Sequence, residues 1–165
     1  MILRGRAWKF GDDISTDHIT PGRYYHLRSY MPELAKHVME DADPEFPAKM
    51  KRGDFIVAGK NFGMGSSREH APLALKIAGV SAILAKSFAR IFYRNSINIG
   101  LPLLIVDTDR INQGDELEVD LSTGCIKDLT NGIELKAQSM PDAMIKVLQA
   151  EGIVNLIREQ GDLIV

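Results

Sequence analysis

The apolar positions of the chain follow two different rules. Up to about residue 107, short apolar runs alternate with amphipathic stretches. "ILRGRAWKF" alternates apolar and basic residues and predicts an opening strand. "FIVAGK", "VSAILAK" and "LPLLIVD" are continuous apolar runs bounded by turn residues, as expected of strands buried on both faces. Between them, "SREHAPLALKIAG" places Ala71, Leu75 and Ala78 at helical spacing and Gly79 where a C-cap belongs. Pro72 fits only a first turn, which puts the helix start near Ser67 to Glu69. "SFARIFYRNSINIG" predicts a second helix, with a serine cap at one end and a glycine at the other. Strand, helix, strand, helix, strand is the pattern of a parallel sheet with crossover helices.

Two segments interrupt that pattern. "GDDISTDHITPGRYYHLRSY" reads as a long polar and aromatic loop, followed by a short helix in "MPELAKHVME". "DADPEFPAKMKRGD" reads as a connection with one helical turn. After residue 107 the rule changes. "DELEVDLSTG" alternates with period two, and "CIKDLTNGIELKAQS" carries the turn signal Asn131-Gly132, which together predict antiparallel hairpins. "PDAMIKVLQAEGIVNLIREQGD" closes with one or two helices. The pattern alone predicts an α/β fold with an added antiparallel layer, in one domain over 1–165.

Composition narrows the partners. The 165 residues carry a formal net charge of −2, with 25% charged and 45% hydrophobic residues. Nothing in that balance calls for nucleic acid or an anionic membrane surface. No apolar run approaches the roughly 20 residues of a membrane span, and "MILRGRAWKFGDD" lacks a signal-peptide core, so a cytoplasmic location is expected. Cys125 is the single cysteine and lies in a turn-rich stretch. One thiol cannot assemble a structural zinc site or an iron–sulfur cluster, so no metal is expected on this chain and such chemistry would take its ligands from another.

The candidate chemistry sits in "GKNFGMGSSREHAPLAL", where a buried strand gives way to a helix. Unpaired N–H groups and the positive end of a helix dipole favour an anion there. Three uses compete. A Walker loop needs Gly-Lys-Ser/Thr, whereas Lys60 precedes these glycines; a dinucleotide loop needs a third glycine where Arg68 stands. A serine hydrolase elbow, G-x-S-x-G, is not matched, and His70 is only four residues from Ser66. A carboxylate site would use two hydroxyls and a guanidinium fork. Against all three stands a bland alternative: Ser66 caps the helix, and Arg68 and Glu69 pair in solvent. His18 and His70 are read as a loop residue and a helix-surface residue rather than proton carriers.

This loop resembles the signature loop of the aconitase superfamily's swivelling domain. "FGDDISTDHITPGR" is similar to the family's Asp-x-x-x-Thr-Asp-x-Ile segment, and "SFARIFYRNSINIGLPLL" to a third segment. The likeness runs from about Trp8 to Val106 in family order. It implies a three-layer β/β/α swivelling domain that occurs alone as a small subunit. The implied activity is dehydration and rehydration of a small hydroxy acid through a cis-alkene. A large subunit would supply a 4Fe–4S cluster as Lewis acid. By the same resemblance Ser66 is the base, Ser67 and Arg68 bind a substrate carboxylate, and Asp17 orients an arginine. The loop "GRYYHLRSY" is implied to face the variable group of the substrate. The isopropylmalate pattern has apolar or small residues where the homoaconitate pattern has an arginine. This loop is about one residue longer than either and carries Arg28, with Tyr24, Tyr25 and Leu27 as apolar alternatives. Isopropylmalate is the first expectation; homoaconitate, 2,3-dimethylmalate and citraconate are the others.

Overall fold

The computed structural model describes residues 1–160. The chain opens with β1 (Ile2–Lys9), α1 (Thr16–Ile19) and a 3-10 turn over Gly22–Leu27. Then come α2 (Met31–Leu34), a second 3-10 turn (Ala35–His37), α3 (Glu45–Lys49) and β2 (Phe55–Val57). The crossover units follow: α4 (His70–Ala78), β3 (Ala82–Ala85), α5 (Arg90–Asn98) and β4 (Leu103–Ile105). The chain continues through β5 (Glu116–Asp120), β6 (Cys125–Asp128), β7 (Glu134–Lys136), α6 (Asp142–Gln149) and α7 (Ile153–Gln160).

All seven strands belong to one mixed sheet, ordered β4-β3-β2-β1-β5-β6-β7. β1 to β4 are parallel, with Ala7 opposite Phe55, Phe55 opposite Ala82 and Ile83 opposite Leu103. β1 also pairs antiparallel with β5, Arg4 opposite Glu118, and β5–β6–β7 continue as hairpins. Alternation along the parallel strands divides the core. Ile56, Ala58, Ile83, Ala85 and Leu103 point to the helices, with Leu75, Phe92 and Phe46. Phe55, Val57, Ala82, Leu84 and Leu104 point the other way and meet Leu117, Val119 and Ile126 of the antiparallel strands. The antiparallel half therefore curls over one face of the parallel half. The three layers are helices, parallel strands and antiparallel strands, and the expected added layer is a continuation of the same sheet. Burial on both faces is why the parallel strands read as unbroken apolar runs.

Three local expectations change. The long loop after β1 is not irregular throughout: it contains α1, built on a capping box in which Ser15 Oγ accepts the His18 N–H and His18 Nδ1 accepts the Ser15 N–H. Ser87 does not cap α5; its hydroxyl accepts the Asn61 N–H at 2.8 Å, and α5 begins after Ala89 without a side-chain cap. α4 begins at His70, later than expected, with Glu69 in the cap position and Pro72 in the first turn.

Candidate active site

The parallel strands do not simply stop at their C-terminal ends. Backbone pairing continues into the connecting segments and ties together the three stretches singled out in the sequence. Gly63 N–H donates to Ile14 O (2.7 Å) and Thr16 N–H to Met64 O (2.9 Å). Phe62 N–H donates to Ser87 O (3.1 Å) and Ala89 N–H to Phe62 O (2.9 Å). The Gly-rich loop is thus the middle rung, with the first signature on one side and the third on the other. The C-terminal edge of a parallel sheet is where α/β proteins gather ligand-binding loops.

Two glycines let the loop take this path. Gly63 has φ +84, and a Cβ there would lie 2.2 Å from Phe92 Cγ. Gly65 has φ +97, with Thr16 Oγ1 close to where a Cβ would sit. Both need the left-handed region, which side chains disfavour. Two acidic side chains brace the entry: Asp12 Oδ1 accepts the Lys60 N–H at 2.7 Å, and Asp13 Oδ1 accepts from Asn61 Nδ2 at 3.0 Å.

The result is a cavity of about 280 Å³ that brings Ser66, Ser67 and Arg68 into one wall. Ser66 lies four residues ahead of α4, so it is not the helix cap. The first-turn N–H of Ala71 is taken by Arg68 O at 3.1 Å, and Pro72 has none to offer. Stabilisation of an anion at Ser66 therefore falls to side chains rather than to a row of helix N–H groups. Thr16, buried at 3% exposure, is the nearest: its hydroxyl donates to Ser66 O at 2.9 Å and lies 3.5 Å from Ser66 Oγ.

Arg68 is held by one nitrogen. Its Nη1 donates to Asp17 Oδ1 at 3.0 Å and to Thr20 O at 2.7 Å. Asp17 Oδ1 also accepts the Gly22 N–H at 3.0 Å, which fixes the carboxylate itself. That arrangement leaves the Nε–Nη2 edge of the guanidinium for a second, bidentate partner, and a carboxylate matches it. Asp17 and Arg68, 51 residues apart, are thus joined; the resemblance implied that Asp17 orients an arginine without saying which.

The loop after Asp17 divides. Tyr24 stacks on His37 at 3.9 Å, and both Tyr24 and Leu27 pack against the helix-side core, outside the cavity wall. Tyr25 is half exposed and meets the His70 ring edge-on at 5.8 Å. Arg28 lies over the Tyr25 ring at 4.0 Å and donates to Tyr25 O at 3.0 Å. Burial, and after it the charges of Arg68 and Arg28, lower the His70 pKa, so the imidazole is neutral at pH 7. Arg28 therefore acts on His70 and does not line the cavity. His18 is engaged in the α1 cap.

The rest of the lining was not foreseen. Ala89, Arg90, Ile91, Phe92 and Asn95, at the start of α5, complete the cavity. The caps of "SFARIFYRNSINIG" predict a helix but not its placement, which depends on the pairing of Phe62 with residues 87–89. Cys125 stands on β6 in the antiparallel half, away from this cavity. The donor set of this chain does not fit an iron–sulfur cluster, which requires several thiolates. Among the described residues no three His, Cys, Asp or Glu side chains group as metal ligands, and no helix is long and apolar enough to cross a membrane.

Comparison with known proteins agrees with this geometry. The aconitase C-terminal domain family matches residues 14–108, the span that builds the three paired segments and the cavity. The 3-isopropylmalate dehydratase small subunit 2 of Archaeoglobus fulgidus is 71% identical over 99% of both chains. A methanogen homoaconitase small subunit from Methanothermobacter thermautotrophicus is 56% identical over 93% of this chain and 89% of its own. The crystal structure of a 3-isopropylmalate dehydratase from Methanocaldococcus jannaschii superposes with a TM-score of 0.93 at 48% identity, covering 97% of this chain and 95% of that one.

Proposed function

The chain belongs to the aconitase C-terminal domain family, and on that premise we propose that it is the small subunit of a 3-isopropylmalate dehydratase. Paired with a large subunit, it would interconvert 2- and 3-isopropylmalate, a hydro-lyase reaction of leucine biosynthesis. The observation that carries this reading is the meeting of Ser66 and Arg68 in one cavity, with Arg68 oriented by Asp17 and its other edge free. The names of the relatives support the same assignment.

In this reading Ser66 Oγ, as the alkoxide, accepts the proton alpha to a carboxylate. Hydroxide departs from the neighbouring carbon with the C–O electron pair and leaves a cis-alkene. Return of the proton and hydroxyl to exchanged carbons gives the isomer. A serine hydroxyl ionises far above neutral pH, so the site must favour the anion. The cavity wall contains arginines and no carboxylate, and each well-placed donor to a developing oxyanion is worth roughly 3–4 kcal/mol of barrier. Arg68 and Ser67 hold the substrate carboxylate so that the C–H bond faces Ser66. A 4Fe–4S cluster, as Lewis acid on the leaving hydroxyl, is assigned to the large subunit; no step described for this chain passes through it.

One observation favours a second reading. Arg28 lies over the Tyr25 ring, which meets His70, and its charge reaches His70. A substrate with a further carboxylate, such as homoaconitate, would extend towards it, and a homoaconitase subunit stands among the relatives. The contact of Arg28 with its own Tyr25 ring and carbonyl weighs for the smaller substrate. Turnover by the reconstituted two-subunit enzyme on 3-isopropylmalate, homoaconitate, citraconate and 2,3-dimethylmalate decides between them. Preference for 3-isopropylmalate, unchanged by Arg28→Val, is the expected result. Preference for homoaconitate, lost in Arg28→Val, would establish the second reading.

A further inference from the structure

The cavity that holds Ser66 is also lined by Arg90, an exposed arginine. Arg90 is the first residue of α5. A cation there faces the positive end of the helix dipole, an unfavourable position. α5 has no acidic residue in its first turn to offset it. No ion pair among the described residues joins Arg90. Asn95, five residues further along α5, also lines the cavity and is a neutral hydrogen-bonding group. In a chain of net charge −2, this cavity is lined by two arginines and no acid. Asp17 neutralises part of the Arg68 charge from outside the wall, whereas no acid among the described residues pairs with Arg90. A local arrangement that works against stability and converges on a cavity marks a binding function.

We propose that Arg90 is a substrate-binding residue and that it takes the second carboxylate of the diacid whose first carboxylate is held by Arg68. This deepens the proposed function and rests on it. The two guanidinium groups, one on the Gly-rich loop and one at the first residue of α5, would define the substrate class as a dicarboxylate. A monocarboxylate would leave Arg90, exposed in this chain, without its charge-assisted partner. Ser66, which lines the same cavity, would then face the carbon chain that links the two carboxylates. The role of Arg90 is binding, so its loss is expected in KM more than in kcat.

The test is a cycle of two enzymes and two probes in the reconstituted complex. The probes are 3-isopropylmalate and an analogue with one carboxylate replaced by a carboxamide, prepared as each of the two regioisomers. The wild type should prefer the diacid over both amides. Arg90→Gln should raise KM for the diacid about 10- to 100-fold, the loss expected for a charge-assisted hydrogen bond. It should leave KM almost unchanged for the one amide that already lacks the carboxylate facing Arg90. Arg90→Lys should recover part of the loss. A KM within threefold of wild type in Arg90→Gln, or an equal rise for the diacid and both amides, would overturn the proposal. Equilibrium binding of the same probes keeps the two claims apart. A complex that binds them but turns over neither contradicts the proposed reaction, and the Arg90→Gln comparison still decides the inference.

Discussion

The two halves of the sheet bury similar apolar strands but use their polar residues differently. In the antiparallel half, two buried aspartates close on nearby backbone. Asp128 Oδ1 accepts the N–H groups of Thr130 and Asn131, and Asp115 Oδ2 accepts from Asn112. Each bond shapes a turn next to the residue that makes it. In the parallel half, the polar residues reach across the chain. Asp17 meets Arg68 over 51 residues, and Thr16 meets Ser66 over 50. Short-range polar bonds define hairpins, and long-range ones assemble a cavity. The antiparallel half therefore acts as a wall that supports the parallel strands from behind, while the chemistry gathers at their C-terminal ends.

The sharpest way to break this contrast is at Ser66. Ser66→Ala should lower kcat of the reconstituted enzyme by three or more orders of magnitude. Because Ser66 is not a helix cap, the melting temperature should stay close to that of the wild type, where loss of a true cap would cost about 1 kcal/mol. A large fall in melting temperature with activity retained would return Ser66 to a structural role. Next comes the arginine. Arg68→Lys should reduce kcat/KM about 100-fold, since a point charge cannot keep Asp17 and Thr20 on one side and a carboxylate fork on the other. Asp17→Asn should cost about 10-fold, because Arg68 keeps its charge and its bond to Thr20 O but loses its anchor.

The smallest effect on activity is expected in the antiparallel half. Asp128 is buried at 1% exposure. That burial, together with the adjacent Asp115 carboxyl, raises its pKa above the usual carboxylate range. Folding thus favours the protonated acid. The stabilisation is complete below the unfolded value near 3.9 and is lost as pH rises through the folded value. Asp128→Asn keeps an acceptor for Thr130 and Asn131 without the charge. Its melting temperature should fall less than that of the wild type between pH 4 and pH 7, with kcat unchanged. A loss of activity would show that the two halves are not separable in this way.

The elements of each half were legible for different reasons. Phe55–Val57 and Ala82–Ala85 are apolar without a break because both of their faces are covered, and no alternation was needed to find them. Glu116–Asp120 and the Asn131-Gly132 turn show the period and the turn chemistry of a hairpin directly. The short helix Thr16–Ile19 was missed because a histidine fills the place of the usual Glu or Gln in its capping box, and because Met64 O holds its first N–H from a distant segment. Ser66, Ser67, Arg68 and Asp17 could be named from their signatures. Their joining into one wall could not, since it depends on the pairing of residues 14–16 with 63–64. Arg90 lies in the third family-like segment, which named no site residue. Its place in the same cavity as Ser66 follows from the pairing of Phe62 with Ser87 and Ala89, which periodicity does not encode. Tyr24 and Leu27 looked like pocket residues because they are apolar in a polar loop, and the structure sets them against the core.

The central claim is that Ser66, delivered by the Gly63–Gly65 turn, moves the substrate proton. Solvent exchange measures that step apart from the rest of the reaction. The reconstituted enzyme is incubated in deuterated water with 3-isopropylmalate, and uptake of deuterium at the carbon alpha to the carboxylate is followed by NMR. Wild type should incorporate the label at a rate no slower than turnover. Ser66→Ala should lose incorporation by at least three orders of magnitude, while Ser67→Ala should retain most of it with a raised KM. Incorporation at the wild-type rate by a folded Ser66→Ala enzyme would contradict the account.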